Sequence, residues 1–342
     1  MESILCLIHV QEDGQIAKSG WEALGALSDV SGKLGGSSVS VGLIGSAVQA
    51  AAKQLGALAQ AKMLTVEGAD FKDARYGSDV LAAEAIAKAS KATVIIAPAT
   101  ARCQKSVPGL AAKLSGRVDT RISALSVEGG KLTASRWFYR QRMMANMSRK
   151  ERPWVLLVES GIAKPLEAKE GSPLTEAVSV DVPANCKRTE VVGIEAPPAD
   201  QQTIRPDADM LFVAGAGWTK KQSDGQVHAK DAEKLILDFT HKGKASLGSS
   251  KSLVDQSSEG EAVLTCLSHL NQVGQTGSTP RHPKGLATCC HGEEPHVVGW
   301  RFINERRAVN LDANCGWAQG KADVLYVADA FKVMEKVNEL LG

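Results

Sequence analysis

The sequence predicts an α/β protein of two domains, each a mainly parallel sheet flanked by helices, the second of them doubly wound. Three observations predict it. The chain has 342 residues, room for about two domains at roughly 150 residues each. Aromatic residues are only 4% of it, so the cores rest on Val, Leu, Ile and Ala packed between layers. Short apolar runs alternate with Ala-rich stretches, the rhythm of a parallel sheet covered on both faces.

Taken in order, residues 4–10 read as a first strand and 17–34 as a helix. The pattern repeats as strand 39–44 and helix 47–58, then strand 63–66 and helix 78–89. Val94-Ile95-Ile96-Ala97-Pro98 is a buried strand ended by a proline that cannot extend the ladder. Residues 107–114, with Pro108 near the start, form a helix, and 118–127 with 132–139 form a hairpin around Glu128-Gly129-Gly130. Residues 154–158 close the sheet. The segment 181–207 carries four Pro and little periodicity, which marks a boundary, although 189–194 could add an edge strand. The expected organisation is a domain over 1–186, a linker over 187–208 and a second domain over 209–342. Met210-Leu211-Phe212-Val213-Ala214 opens the second βα series.

Composition excludes several functions. There are 40 Lys+Arg against 38 Asp+Glu, a net charge of +2, too balanced for a nucleic-acid footprint. No run approaches the ~18 apolar residues of a membrane span. The first ten residues lack the basic flank and cleavage site of a signal peptide. The seven scattered Cys read as free thiols in the cytoplasm. The first half shows no nucleophile with a base, and reads as a scaffold or docking domain. His9, His228, His241, His269 and His282 receive no role.

Gly215-Ala216-Gly217 has two readings: a plain tight turn, or backbone amides presented to a phosphate. Gly248-Ser249-Ser250-Lys251 likewise suits either an anion or an N-capping Ser beside a solvated Lys. Gln272-Val273-Gly274-Gln275-Thr276-Gly277 is rich in donors and acceptors whose backbone can approach a flat polar ring. Cys289, Cys290, His291 and His296 have zinc-ligand chemistry, but adjacent side chains diverge, and packing is the preferred reading; no metal is expected. Cys315 beside Trp317 also reads as packing.

The Gly-Ser-Lys segment, residues 272–277, His296, Asn310 with Asp312, and Ala322-Asp323 occur in the order seen in the α subunit of electron transfer flavoproteins, which the chain resembles throughout. Ala99-Thr100, Leu110-Ala111-Ala112-Lys113-Leu114, Arg136 and Tyr139 are similar to the first-domain signature of that family. The resemblance implies an electron carrier rather than an enzyme with its own substrate. The C-terminal domain would hold FAD, and the first domain would pack on a β subunit carrying AMP. Electrons would come from a flavin-containing dehydrogenase and leave to a quinone oxidoreductase or another acceptor. By position, Ser250 and Thr276 would face the isoalloxazine. Gln272, Val273, Gly274, Gln275 and Thr276 would line it, and Lys251 would place a cation near the reduced ring. His296 would lie at the pyrimidine edge, with His291 and Gly292 in the same loop. Gly217 would belong to the first Gly-rich turn, and Asn310 and Asp323 would hold the adenosine part.

The chain departs from the family pattern at charged positions. Lys251 stands where the family has Arg, losing the planar fork, and Ala216 stands at the Arg of a Gly-Arg-Gly turn. The loop Cys289-Cys290-His291-Gly292-Glu293-Glu294-Pro295-His296 keeps one Gly and the final His. Two rival functions follow: a flavin-free or AMP-only structural subunit, and a nucleotide-dependent enzyme using the 289–296 loop.

Overall fold

A computed structural model of the chain describes residues 2–138, 143–193, 204–205, 208–255, 263–273, 282–289, 303–315 and 322–342. It divides into two compact units, Met1–Ile194 and Glu195–Gly342.

The first unit runs β1 (Ser3–His9), α1 (Lys18–Leu34), β2 (Ser38–Gly45), α2 (Val48–Lys53), β3 (Lys62–Glu67), α3 (Tyr76–Ser90), β4 (Val94–Pro98) and α4 (Ala101–Lys113). It continues with β5 (Arg117–Glu128), β6 (Lys131–Phe138), β7 (Met143–Met147), β8 (Trp154–Val158) and β9 (Thr175–Ala177). These strands form one sheet in the order β7-β6-β5-β8-β4-β1-β2-β3-β9, parallel except for the β5-β6-β7 meander.

Alternation along β1 builds both cores. Ile4, Cys6 and Ile8 pack with Leu24 and Leu27 of α1 on one face; Leu5 and Leu7 pack with Ile86 of α3 and Val107 and Leu110 of α4 on the other. Each such side chain, fully buried, contributes roughly 1.5–3 kcal/mol. Gly25 lets α1 lie against the 160s segment, since a Cβ there would fall 2.1 Å from the Lys164 carbonyl oxygen.

Three expectations are corrected. Residues 154–158 do not close the sheet: β8 lies inside it, between β4 and β5. All five of its side chains are buried, and a continuous apolar run is what a strand covered on both faces requires. The edge partner of β3 is β9, whereas 189–193 form no strand and leave Val192 97% exposed. Helix α4 starts well before 107, because the Thr100 hydroxyl accepts the Cys103 N–H and caps it. Pro108 therefore sits mid-helix, where burial of Val107, Leu110 and Ala111 offsets a cost of about 3 kcal/mol.

The second unit contains β10 (Met210–Ala214), α5 (Ala229–Lys242), β11 (Ser246–Ser249), α6 (Lys251–Asp255), β12 (Lys284–Thr288), β13 (Glu305–Asn310), β14 (Val324–Val327) and α7 (Ala330–Leu340). Its sheet is parallel throughout, in the order β11-β10-β12-β13-β14. Phe212, Trp218, Ile236, Phe239 and Met334 centre the core beneath α5 and α7. Among the described residues, no helix is long and apolar enough to cross a membrane.

Candidate functional site

In an open parallel sheet, ligands bind outside the carboxyl ends of the strands, where the strand order reverses. In the second unit β10 is followed by β11 on one side and β12 on the other, so that reversal lies between β10 and β12.

The chain after β10 is tied across this point. Gly215 and Gly217 donate their amide protons to the carbonyls of Thr288 (2.8 Å) and Cys289 (3.0 Å). The Trp218 indole donates to Thr288 Oγ1 at 2.8 Å, and its ring packs on Phe331 with centroids 4.6 Å apart. The Gly215-Ala216-Gly217 sequence suits either a tight turn or a phosphate cradle. The geometry is the tight turn: a single 3-10 turn, Ala216–Thr219, follows, and the Gly217 amide is already engaged. Burial pushes the Cys289 thiol up to about 12, and the Asp329 carboxylate adds to the shift.

At the end of β11, Ser249 and Ser250 are both buried. Ser250 donates its amide to the Ala214 carbonyl at 2.9 Å, and its hydroxyl accepts the Leu253 N–H at 3.3 Å, as an N-cap does. Ser249 Oγ is buried and has no hydrogen-bond partner among the described residues. Such a group costs roughly 1–3 kcal/mol until something pairs with it. Lys251 is half exposed and pairs with Asp255, which also meets His269 Nε2 at 3.0 Å. The Lys251 ammonium, against the opposing effect of burial and with help from His269, holds the Asp255 carboxyl below its ordinary value.

Gln272 and Val273 run beside this strand end: Val273 donates its amide to the Ser249 carbonyl at 3.0 Å, and both side chains are buried. Gly248 permits the approach, since a Cβ there would meet Val273 Cγ2 at 2.5 Å. Asn310, buried at the carboxyl end of β13, accepts the Asp312 N–H through Oδ1 at 3.3 Å.

Ser250, Lys251, Gln272, Val273 and Asn310 thus share one edge of the sheet. Asp323 does not join them. It precedes β14, and Arg307 pairs with Val324 while Asn310 pairs with Val327, so Asp323 lies at the amino edge, about four residues or ~13 Å of strand away. There it accepts the Arg306 N–H at 2.7 Å and the Arg306 guanidinium at 2.7 Å. The acid at the carboxyl end of β14 is Asp329, whose side chain caps α7 by accepting the Phe331 N–H at 2.9 Å. The signal that distinguishes the two Ala-Asp pairs is the apolar run Val324–Val327: 322–323 precede it and 328–329 follow it. Gly274, Gln275, Thr276, His291, Gly292 and His296 lie outside the described residues.

Residues 4–184, more than half of the chain, match the electron transfer flavoprotein domain. The chain belongs to the electron transfer flavoprotein family. The span matched in this family member falls within the first unit. No curated protein matches the chain.

Proposed function

We propose that this member of the family is an α subunit that carries electrons through FAD held by its second unit, while its first unit seats on a β subunit carrying AMP. The supporting observation is the sequence of parts: a first unit matching the electron transfer flavoprotein domain, followed by a second parallel sheet with an unpaired buried Ser249 hydroxyl at its carboxyl edge. When bound, FAD supplies the redox chemistry. The chain binds and orients. Ser249 Oγ donates to the cofactor, Gly248 and Val273 form an apolar floor, and the Ser250, Gln272 and Asn310 side chains give orientation. Lys251 offers a cation partly balanced by Asp255. Gly274, Gln275, Thr276, His291, Gly292 and His296 complete the proposed set. Asp329 takes the place at the strand end that Asp323 does not occupy. The proposed donor is a flavin-containing dehydrogenase and the proposed acceptor a quinone oxidoreductase.

One observation favours a second reading, a flavin-free or AMP-only subunit: Lys251 stands where a guanidinium would, and it is already paired with Asp255. Co-expression with a β subunit separates the two. A yellow complex that bleaches when a dehydrogenase and its substrate are added supports the first reading. A colourless complex holding AMP alone overturns it in favour of the second.

A further inference from the structure

The first unit brings together four side chains from three distant places in its sequence. His9 ends β1, Asp79 lies in the first turn of α3, and Arg102 and Cys103 open α4. They meet where β1 adjoins β4, the point at which the strand order of this sheet reverses, again the place where open α/β sheets bind ligands.

Cys103 Sγ lies 3.5 Å from His9 Nδ1. On the far side of the ring His9 Nε2 stops 3.6 Å from Asp79 Oδ1, beyond hydrogen-bond length, and this buried nitrogen has no hydrogen-bond partner among the described residues. The His9 side chain is only 10% exposed and that of Asp79 is fully buried. Arg102 fixes the carboxylate from the other side, with Nη2 to Oδ1 at 2.6 Å and Nε to Oδ2 at 2.9 Å. Burial opposes a charged imidazole, but Asp79 and Cys103 outweigh it and hold His9 above its ordinary value. Thiol, imidazole and carboxylate in this order are the parts of an activated nucleophile: a base on the thiol, and a carboxylate whose charge faces the far side of that base. Cys103 also stands in the first turn of α4, whose Thr100 cap accepts its N–H.

We propose that Cys103 is a modification site, a base-activated thiol that a small hydroperoxide converts to a sulfenic acid. His9 Nδ1 takes the Sγ proton, and the thiolate attacks one oxygen of the peroxide. The S–O bond forms as the O–O bond breaks. Sulfur gives up two electrons, the peroxide is reduced, and the departing hydroxide takes the proton from His9 and leaves as water. Cys103 is 1% exposed, which closes it to bulky thiol reagents, so the oxidant proposed is the smallest of its class, hydrogen peroxide, with two heavy atoms.

Cys6 supplies a control within the same chain. It is equally buried, it packs on the opposite face of the sheet, and burial pushes its thiol up. The full chain is treated with hydrogen peroxide, quenched with catalase, then alkylated in denaturant and digested for mass spectrometry. Cys103 is expected to lose alkylation at least ~10-fold faster than Cys6 and to gain the mass of one oxygen, and His9→Gln is expected to bring it down to the Cys6 rate. Equal rates for the two thiols in the parent protein, or an unchanged Cys103 rate in a folded His9→Gln variant, would overturn the proposal. If His9→Gln unfolds, which a rise in its Cys6 rate reveals, the parent Cys103-to-Cys6 ratio decides alone.

Discussion

Replacing Asp79 by asparagine should be among the most damaging single changes in the first unit, because it removes a charge and leaves the shape. Arg102 makes five hydrogen bonds: two to the Asp79 carboxylate and one each to the carbonyls of Phe71 (2.7 Å), Lys72 (3.0 Å) and Asp73 (3.0 Å). It thereby staples the 71–73 turn to the start of two helices. The Asp79→Asn change would keep the volume, but the new amide would point a donor at a guanidinium that has only donors, and Arg102 would keep a charge in a site where its side chain is 15% exposed. Breaking one partner of a buried pair costs about 3–5 kcal/mol, set against a typical total of about 5–15 kcal/mol. In a unit of this size that lowers the melting temperature by roughly 10 °C. Urea unfolding followed by near-UV circular dichroism of Trp154, which is fully buried, reads it directly. A loss under about 1 kcal/mol, the value of a surface pair, would refute the argument that burial makes this contact matter.

Other perturbations test other parts of the account. Gly25→Ala should cost about 1–3 kcal/mol in urea unfolding, since the new Cβ meets the Lys164 carbonyl at 2.1 Å. Gly248→Val should displace Val273 and strip flavin from the purified complex while leaving the first unit's unfolding transition unchanged; full flavin content would count against the floor assigned to Gly248. Asp323→Asn should leave flavin content at the parent level, because the side chain engages Arg306 at the opposite edge of the sheet. Acid should unfold the first unit before the second. Burial opposes the charged forms of Asp79 and Asp119, yet His9 and Arg102, and Arg149 and Trp154, hold them below the usual carboxylate range. Their stabilisation is therefore present above an unfolded value of ~3.9 and is lost as pH falls below it, whereas the raised His9 gives stability that is full below ~6.5 and lost as pH rises through its folded value. Calorimetry should find the first unit most stable between roughly pH 5 and 6.5.

Much of the fold was legible because parallel strands buried on both faces must be continuous apolar runs. Val94–Pro98 and Met210–Ala214 announce themselves that way. Their order in the sheet does not: nothing in Trp154–Val158 says that it inserts between β4 and β5 after an antiparallel meander. Thr175–Ala177 is three exposed residues with no pattern to read. At the candidate site, the strand ends beside Ser250, Gln272 and Asn310 were legible as the ends of apolar runs, whereas Asp323 was placed at the wrong edge because two Ala-Asp pairs flank the same strand. The Cys103, His9 and Asp79 cluster was invisible because its members lie up to 94 residues apart in the chain, and the parallel pairing of β1 with β4 brings their ends together.

The measurement closest to the central claim is the nucleotide released by denaturing the co-purified complex with a β subunit, after incubation with excess FAD and removal of what is unbound. FAD equimolar with this chain, falling away in Gly248→Val and staying in Asp323→Asn, is the predicted result. A complex that retains AMP and no FAD would contradict it.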